Sequence, residues 1–440
     1  MTRLVTVKAL TVIVNSPLSI SLHSILSDIL LLLAEYLRKN HRTLKISTLN
    51  LLDSLVTNYK YGDMDGSEMM KVLQETPALI SEFDLQISQL TLTFLSHLVV
   101  AQPLIISSSL SEILAAYVNL LQSSLLQGAT LTASLNFVLA VVQAEIPQKP
   151  SFEELLDQLT SPAYDNTSLH RQAYRSISAC TAVVASASGQ QNHCRNLAKK
   201  LSEQIISNDT TDGVRLFSLL AIGELGCTCP RTFDKFSPKP EELLVNAFNT
   251  TSEEMKTAAS YALGRLALGN LEKYLPFLLE QINSQPKRQY LLLHALKEVQ
   301  LFLYLFTVIG SESGDSRAIE IFRPRIEQIW PVLITHATAA EEGTRNVVAE
   351  CLGKLCLVHP EQLLQRLKKC VISPNPFMRA TAVTAVKFLI VEQWTAIDDL
   401  LQSSMAHFLR TVADQDLNVR RVALIAFNSA AHNKPRLVSY

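Results

Sequence analysis

The side chains able to do chemistry are few and scattered. Seven cysteines stand at Cys180, Cys194, Cys227, Cys229, Cys351, Cys356 and Cys370, with none before them in the chain. Cys227-Thr228-Cys229 has a single residue between its thiols and no second Cys/His pair nearby, which is not the paired spacing that structural zinc requires. Cys351 and Cys356 sit with Leu352 and Leu355 in a helical stretch, so both read as small core residues. Asp63-Met64-Asp65-Gly66 has the look of a calcium loop but lacks the third oxygen ligand before its glycine, and it reads as a polar turn. The ten histidines fall singly, with His294 and His432 in or beside helices, where a hydrogen-bonded packing role suits them. No phosphate-binding, nucleophile-elbow, zinc-protease or dinucleotide motif occurs. The expectation is a protein that is not an enzyme, with no catalytic residue, no cofactor, no metal and no small-molecule substrate.

What must position these residues follows from composition. The 440 residues are 48% hydrophobic, 18% charged and 7% aromatic, a leucine-rich balance that favours packed helices over sheets. Lys and Arg (39) nearly cancel Asp and Glu (40), so no net field exists to hold nucleic acid or an anionic membrane. An odd number of cysteines in apolar contexts reads as reduced thiols in an intracellular protein. The apolar runs 29–34 and 301–309 fall well short of the ~20 residues that span a bilayer, so no membrane segment is expected. Met1-Thr2-Arg3-Leu4-Val5 lacks a signal-peptide pattern, and the sequons at Asn166, Asn208 and Asn249 are expected to stay unmodified.

Internal repetition then sets the fold. Arg215, Lys256 and Arg345 share an apolar residue at +7 (Ile222, Leu263, Leu352), glycine at +8 (Gly223, Gly264, Gly353) and leucine at +10 (Leu225, Leu266, Leu355). A looser form of the pattern adds Arg3, Lys45, Arg379 and Arg420, and more weakly Ser88, Gln127, His170 and Arg288. The resulting ladder has a period near 40 residues with two helical stretches per unit, the mark of an all-α HEAT/armadillo-type solenoid. A right-handed α-α superhelix of about ten to eleven helix-pair repeats is expected, with residues 1–440 forming one solenoid. Acid-before-base pairs (Asp416/Arg420, Glu341/Arg345, Asp212/Arg215) are expected to share one face of the inner helices. Outer helices are expected to open with Pro150, Pro240 and Pro360 at N1-like positions and acids in the first turn. Small residues at +6 and +8 (Ala221, Ala262, Ala385, Gly223, Gly264, Gly353) are expected to let neighbouring helices approach. The basic ladder reads as structural, and the long step from Arg288 to Arg345 points to an insertion within 299–322. Residues 226–240 read as a long inter-helix loop and 61–66 as a shorter one.

Three stretches carry a family resemblance. They are Ser284-Gln285-Pro286-Lys287-Arg288-Gln289-Tyr290-Leu291-Leu292-Leu293-His294, then Ala340-Glu341-Glu342-Gly343-Thr344-Arg345-Asn346-Val347-Val348-Ala349-Glu350-Cys351-Leu352-Gly353, and the tail 417–435 with Asn428-Ser429-Ala430-Ala431-His432-Asn433-Lys434-Pro435. These resemble the cullin-associated, neddylation-dissociated (CAND) family of HEAT-repeat proteins, in its middle and later repeats. The resemblance implies a non-catalytic, cytoplasmic and nuclear scaffold. Its partners would be a cullin and the RING subunit of cullin–RING ubiquitin ligases. It would bind unmodified cullin, hinder its neddylation and exchange substrate receptors. It also implies a partial chain without the family's N-terminal arm and C-terminal hairpin region. A generic HEAT adaptor, such as a transport receptor or phosphatase scaffold, is the alternative that the bare period permits. The partner-binding residues are not readable from one sequence.

Overall fold

The computed structural model describes residues 2–16, 23–58, 66–165, 169–312, 317–391 and 397–437, with the side chains of His23 and of 301–323 outside the description. Every regular element among the described residues is helical. The chain divides into two compact units, Met1–Phe236 and Ser237–Tyr440.

In the first unit the helices are α1 (Thr2–Val14), α2 (Leu26–Arg38), α3 (Arg42–Asn58), α4 (Ser67–Glu75), α5 (Leu85–Ala101) and α6 (Pro103–Ile106). They continue with α7 (Leu110–Leu121), α8 (Gly128–Gln143), α9 (Phe152–Asp165), α10 (Arg171–Ala187), α11 (Gln191–Ile206) and α12 (Asp212–Thr228). One layer stacks α1, α3, α5, α8, α10 and α12 in succession, and α2, α4, α7, α9 and α11 form the second layer against it. The second unit repeats the plan with α13 (Pro240–Asn246), α14 (Glu253–Gly269), α15 (Leu271–Ser284), α16 (Gln289–Glu312) and α17 (Arg317–His336). It ends with α18 (Glu342–Val358), α19 (Pro360–Val371), α20 (Pro376–Val391), α21 (Asp398–Leu409) and α22 (Leu417–Asn433). Here α14, α16, α18, α20 and α22 stack as one layer, while α15 packs on α17 and α19 on α21 in the other. Each residue of the sequence ladder lies in, or next to the first residue of, its own helix of the first layer. The repeat expectation therefore holds at the level of individual helices.

The two layers differ because their burial differs. In α12 every residue from Leu216 to Gly226 is buried, since neighbours surround a first-layer helix on several sides. In α19 burial is confined to Leu363, Leu364, Leu367 and Val371, a single stripe facing the first layer. Two of the +8 glycines, Gly264 and Gly353, mark where adjacent first-layer helices cross. A Cβ on Gly264 would lie 2.6 Å from the Ala295 carbonyl oxygen and 2.7 Å from Glu298 Cβ, and one on Gly353 would lie 2.8 Å from both the Ala385 oxygen and Phe388 Cβ. Only glycine permits this approach, and Ala221, Ala262 and Ala385 at +6 are buried as expected.

Three expectations need correction. The loop placed at 226–240 starts later, because α12 runs through Gly226 and Cys227 to Thr228, and a short 3-10 turn, Pro230–Phe233, follows. Pro150 is not the first residue of α9. Ser151 stands between them as the cap, its Oγ accepting from Glu154 N at 3.2 Å while a Glu154 carboxylate oxygen accepts from Ser151 N at 2.8 Å. Pro240 and Pro360 do open α13 and α19. The acid-before-base pairs do not share a common ion-pair geometry, for a reason given below. The turn at 61–66 falls outside the described residues except for Gly66. The insertion expected at 299–322 spans the end of α16, the start of α17 and residues 313–316, which lie outside the described residues, as do its side chains from 301 onward.

Candidate functional site: the basic ladder, an apolar turn edge and a thiol cleft

The ladder arginines point back into the turn that precedes their own helix. Arg345 Nη1 donates to the carbonyls of Ala339 and Ala340, both at 2.7 Å. Arg379 Nη1 donates to Ser373 O (2.9 Å) and Pro374 O (3.1 Å), and Arg420 Nη1 to Asp414 O (2.8 Å) and Gln415 O (3.0 Å). Arg215 does the same with Ser207 O (2.9 Å) and Thr210 O (3.3 Å). Turn carbonyls at a helix entry lack helical partners, and a planar guanidinium on the first turn reaches two of them at once. Ser88, a weak member of the ladder, holds its turn in the same way with Oγ donating to Leu79 O (3.1 Å) and Ser81 O (2.7 Å). The preceding acids have another task. Asp416 caps α22, accepting from Asn418 N (2.9 Å) and Val419 N (3.0 Å), whereas Asp212 does approach Arg215 at 3.3 Å. Arg379 adds a tie to the next repeat, its Nε and Nη2 each 2.8 Å from the Asp414 carboxylate. This ladder is engaged in structure and is not a free basic stripe.

While some exposed apolar side chains, such as Val12, Val100, Leu104 and Leu424, lie along helices, others stand at turns leading into the first layer. In the first unit these are Phe83 (96% exposed), Leu125 and Ile206, which immediately precede or end beside the turns before α5, α8 and α12. In the second unit Tyr290, Ile372 (71%), Phe377 and Leu417 (71%) occupy the same place before or at the start of α16, α20 and α22. The Arg345 guanidinium lies 4.3 Å from the centre of the Phe377 ring. Apolar side chains exposed at such turns have the chemistry of protein contacts. Sequence reasoning missed them, because the same residue types at helix ends read as core.

Two histidines take packing roles. His336 bridges helices, with Nδ1 2.9 Å from Gln289 Nε2 and Nε2 3.0 Å from Asn283 Oδ1, and burial lowers its pKa. His294 packs edge-on to Tyr290 at 4.6 Å between ring centres. Among the described residues no cluster of three or more potential ligands for a metal ion occurs, and no helix is long and apolar enough to cross a membrane.

Five of the seven cysteines fall into two settings, Cys227 and Cys370 being partly exposed outside both. Cys180, Cys351 and Cys356 are buried, as is Cys194 of the second setting. Burial pushes the thiols of Cys180 and Cys351 up to about 12 and that of Cys356 higher still. Cys194, in the first turn of α11, and Cys229, just past the end of α12, instead bring their sulfur atoms to 3.2 Å. They line an open cleft of 270 Å³ together with Ser186, Gln190, Thr228 and Arg231. The hydrogen bond from Cys194, aided by the Thr228 and Ser186 hydroxyls, lowers Cys229 to about 7 against the opposing effect of burial, while Cys194 is raised. The two stand 35 residues apart. An antiparallel helix pair sets the start of one helix beside the end of the next, and that register is the signal that could have joined them.

With these features in place, the chain is a helical-repeat protein of the HEAT/armadillo class. Among solved structures, the Kap95:Nup1 complex aligns with 98% of this chain and 55% of its own at a TM-score of 0.50 and 12% identity, a likeness of fold alone. No protein-family model matches the chain. Its curated relatives are specific, however. The chain is 39% identical over 446 residues, 99% of its length, to cullin-associated NEDD8-dissociated protein 2 of Mus musculus, covering 34% of that protein. It is also 39% identical over 456 residues, 99% of its length, to cullin-associated NEDD8-dissociated protein 1 of Drosophila melanogaster, covering 35% of it. The chain is thus a relative of the CAND proteins, and it spans about a third of the length of those it matches.

Proposed function

We propose that this chain is a non-catalytic, cullin-binding scaffold of the CAND type. In this reading it holds unmodified cullin together with its RING subunit and regulates assembly of cullin–RING ubiquitin ligases by exchanging substrate receptors. The observation that carries the reading is 39% identity, over 99% of this chain, to proteins named for cullin association. The physical argument agrees with it. A stacked helical array offers a long surface on which many modest contacts add up, so it can follow an extended partner and exclude a competitor without any chemistry. Within each unit taken separately, exposed apolar turn residues, Phe83 in the first and Ile372 and Leu417 in the second, are the proposed contact points. The reading takes residues 1–440 as one repeat array with an insertion at 299–322, acting in the cytoplasm and nucleus. Its test is a pull-down or calorimetric titration of the folded chain with an unmodified cullin–RING core and with the same core carrying its ubiquitin-like modifier. Selective capture of the unmodified core is expected. Equal capture of both, or of neither, refutes the proposal.

A further inference from the structure

The cleft formed by α11 and the end of α12 has no part in the cullin reading and stands on separate observations. Two thiols face each other with their sulfur atoms 3.2 Å apart. A disulfide closes at ~2.05 Å, so about 1 Å of movement is needed, within the range of a side-chain adjustment. Cys229 lies beyond the last residue of α12 with φ −128° and ψ 60°, so its side chain is not fixed by a continuing helix. The surrounding 270 Å³ opens to solvent, whereas a small molecule such as water occupies only ~30 Å³ in the liquid. Cys180 and Cys351 have other neighbours. The Cys180 sulfur contacts Tyr117 Oη at 3.0 Å and that of Cys351 the Leu293 carbonyl at 3.8 Å.

We infer that Cys194 and Cys229 form a reversible thiol–disulfide site whose oxidant is a hydroperoxide. The Cys229 thiolate attacks one peroxide oxygen, the O–O bond breaks, and Cys229 becomes a sulfenic acid while the departing hydroxide takes a proton to leave as water. Cys194 gives up its proton and attacks the Cys229 sulfur; the S–S bond forms, the S–O bond breaks and a second water leaves. Two thiols lose two electrons in total, and hydrogen peroxide is reduced to two waters. Cys229, the more accessible of the two, is the attacking residue and the enclosed Cys194 the resolving one, and the hydrogen bond that Cys229 accepts from Cys194 favours its thiolate. The resulting bond joins α11 to the segment after α12 within one unit, and a dithiol reverses it.

The test uses the reduced 440-residue chain treated with one equivalent of hydrogen peroxide, then alkylated and mapped without reduction. Two of the seven thiols are expected to disappear, with a Cys194–Cys229 linked peptide that dithiothreitol dissolves. Cys194→Ser is expected to stop at a Cys229 sulfenic acid captured by dimedone, and Cys229→Ser to leave Cys194 reduced. Failure of the linked peptide to form in folded wild-type chain overturns the inference, as does peroxide consumption at Cys194 in Cys229→Ser at the wild-type rate. The wild-type map decides the matter if either variant fails to fold.

Discussion

Arg379 and Asp414 meet through two parallel hydrogen bonds of 2.8 Å, which tie the first turn of α20 to the turn that introduces α22. Their side chains are only 15% and 11% exposed. Hydrogen bonds from Arg379, joined by the Asp416 backbone N–H, hold the Asp414 carboxyl below the usual carboxylate range despite its partial burial. The folded-state pKa is therefore depressed below the unfolded value of about 3.9. The tie contributes fully above that unfolded value and is lost as pH falls through it towards the folded value. Asp414→Asn is expected to cost about 2 kcal/mol at neutral pH, since it removes a charge-assisted pair and leaves the guanidinium underpartnered. Hydrogen exchange of α20 and α22 amides measures this locally, which suits an array that need not unfold in one step. The wild-type advantage over Asp414→Asn should shrink below about pH 4, and a constant difference down to pH 2 would contradict the assignment.

The crossing glycines give opposite expectations at chemically identical substitutions. Gly264→Ala and Gly353→Ala drive a methyl to within 2.6–2.8 Å of backbone oxygen on α16 and α20. Overpacking of about 1–3 kcal/mol outweighs the ~1 kcal/mol that alanine gains over glycine in a helix, so both variants should be destabilised. At Gly343, in the first turn of α18, the added methyl finds the Tyr290 ring at 3.7 Å, an ordinary contact. Gly343→Ala should be neutral or stabilising by up to ~1 kcal/mol. Thermal denaturation of the three variants side by side checks the order, and equal loss at all three would show that the crossing geometry is not the cause.

The contrast between these glycines shows what the sequence could and could not disclose. The ladder was readable because several repeats share a close crossing, so glycine returns at +8 after Arg215, Lys256 and Arg345, and alanine at +6 after Arg215, Lys256, Arg379 and Arg420. The purpose of the acids was not readable. A carboxylate four residues before an arginine satisfies both a helix-face pair and an N-cap, and Asp416 takes the cap while Arg420 turns to Asp414 and Gln415 carbonyls. Exposure was hidden as well. Phe83 and Ile372 are apolar residues near helix entries, and only the packed array decides that they face water. The Cys194–Cys229 approach depends on helix register across 35 residues, whereas the visible Cys227-Thr228-Cys229 spacing drew attention to the wrong pair.

If the ladder arginines act by holding turns, charge alone will not replace them. Arg345 reaches two carbonyls with one nitrogen while its guanidinium lies over the Phe377 ring, and the residue is only 8% exposed. Lysine keeps the positive charge but loses the planar donor array and the stacking face. Arg345→Lys should therefore destabilise the α18 entry by about 1–2 kcal/mol, with faster hydrogen exchange in residues 339–345. A lysine variant as protected as wild type would mean that charge suffices and that the fork geometry is incidental.

The three buried thiols report on opening of the array. Cys180, Cys351 and Cys356 lie inside first-layer helices, and burial raises all three pKa values, to about 12 for the first two. At pH 8 so little thiolate exists, and so little of it is accessible, that a neutral alkylating agent reaches them only after local unfolding. Their labelling rates should rise steeply with submolar urea and differ between Cys180 in the first unit and the Cys351/Cys356 pair in the second. Cys351 and Cys356 share α18 and should label together. Cys229, partly exposed and lowered to about 7, should label first and with little dependence on urea. Mass spectrometry of time-quenched samples resolves each cysteine. Early labelling of Cys351 without Cys356 would show that α18 does not open as a unit, and urea-independent labelling of Cys180 would remove it from the core.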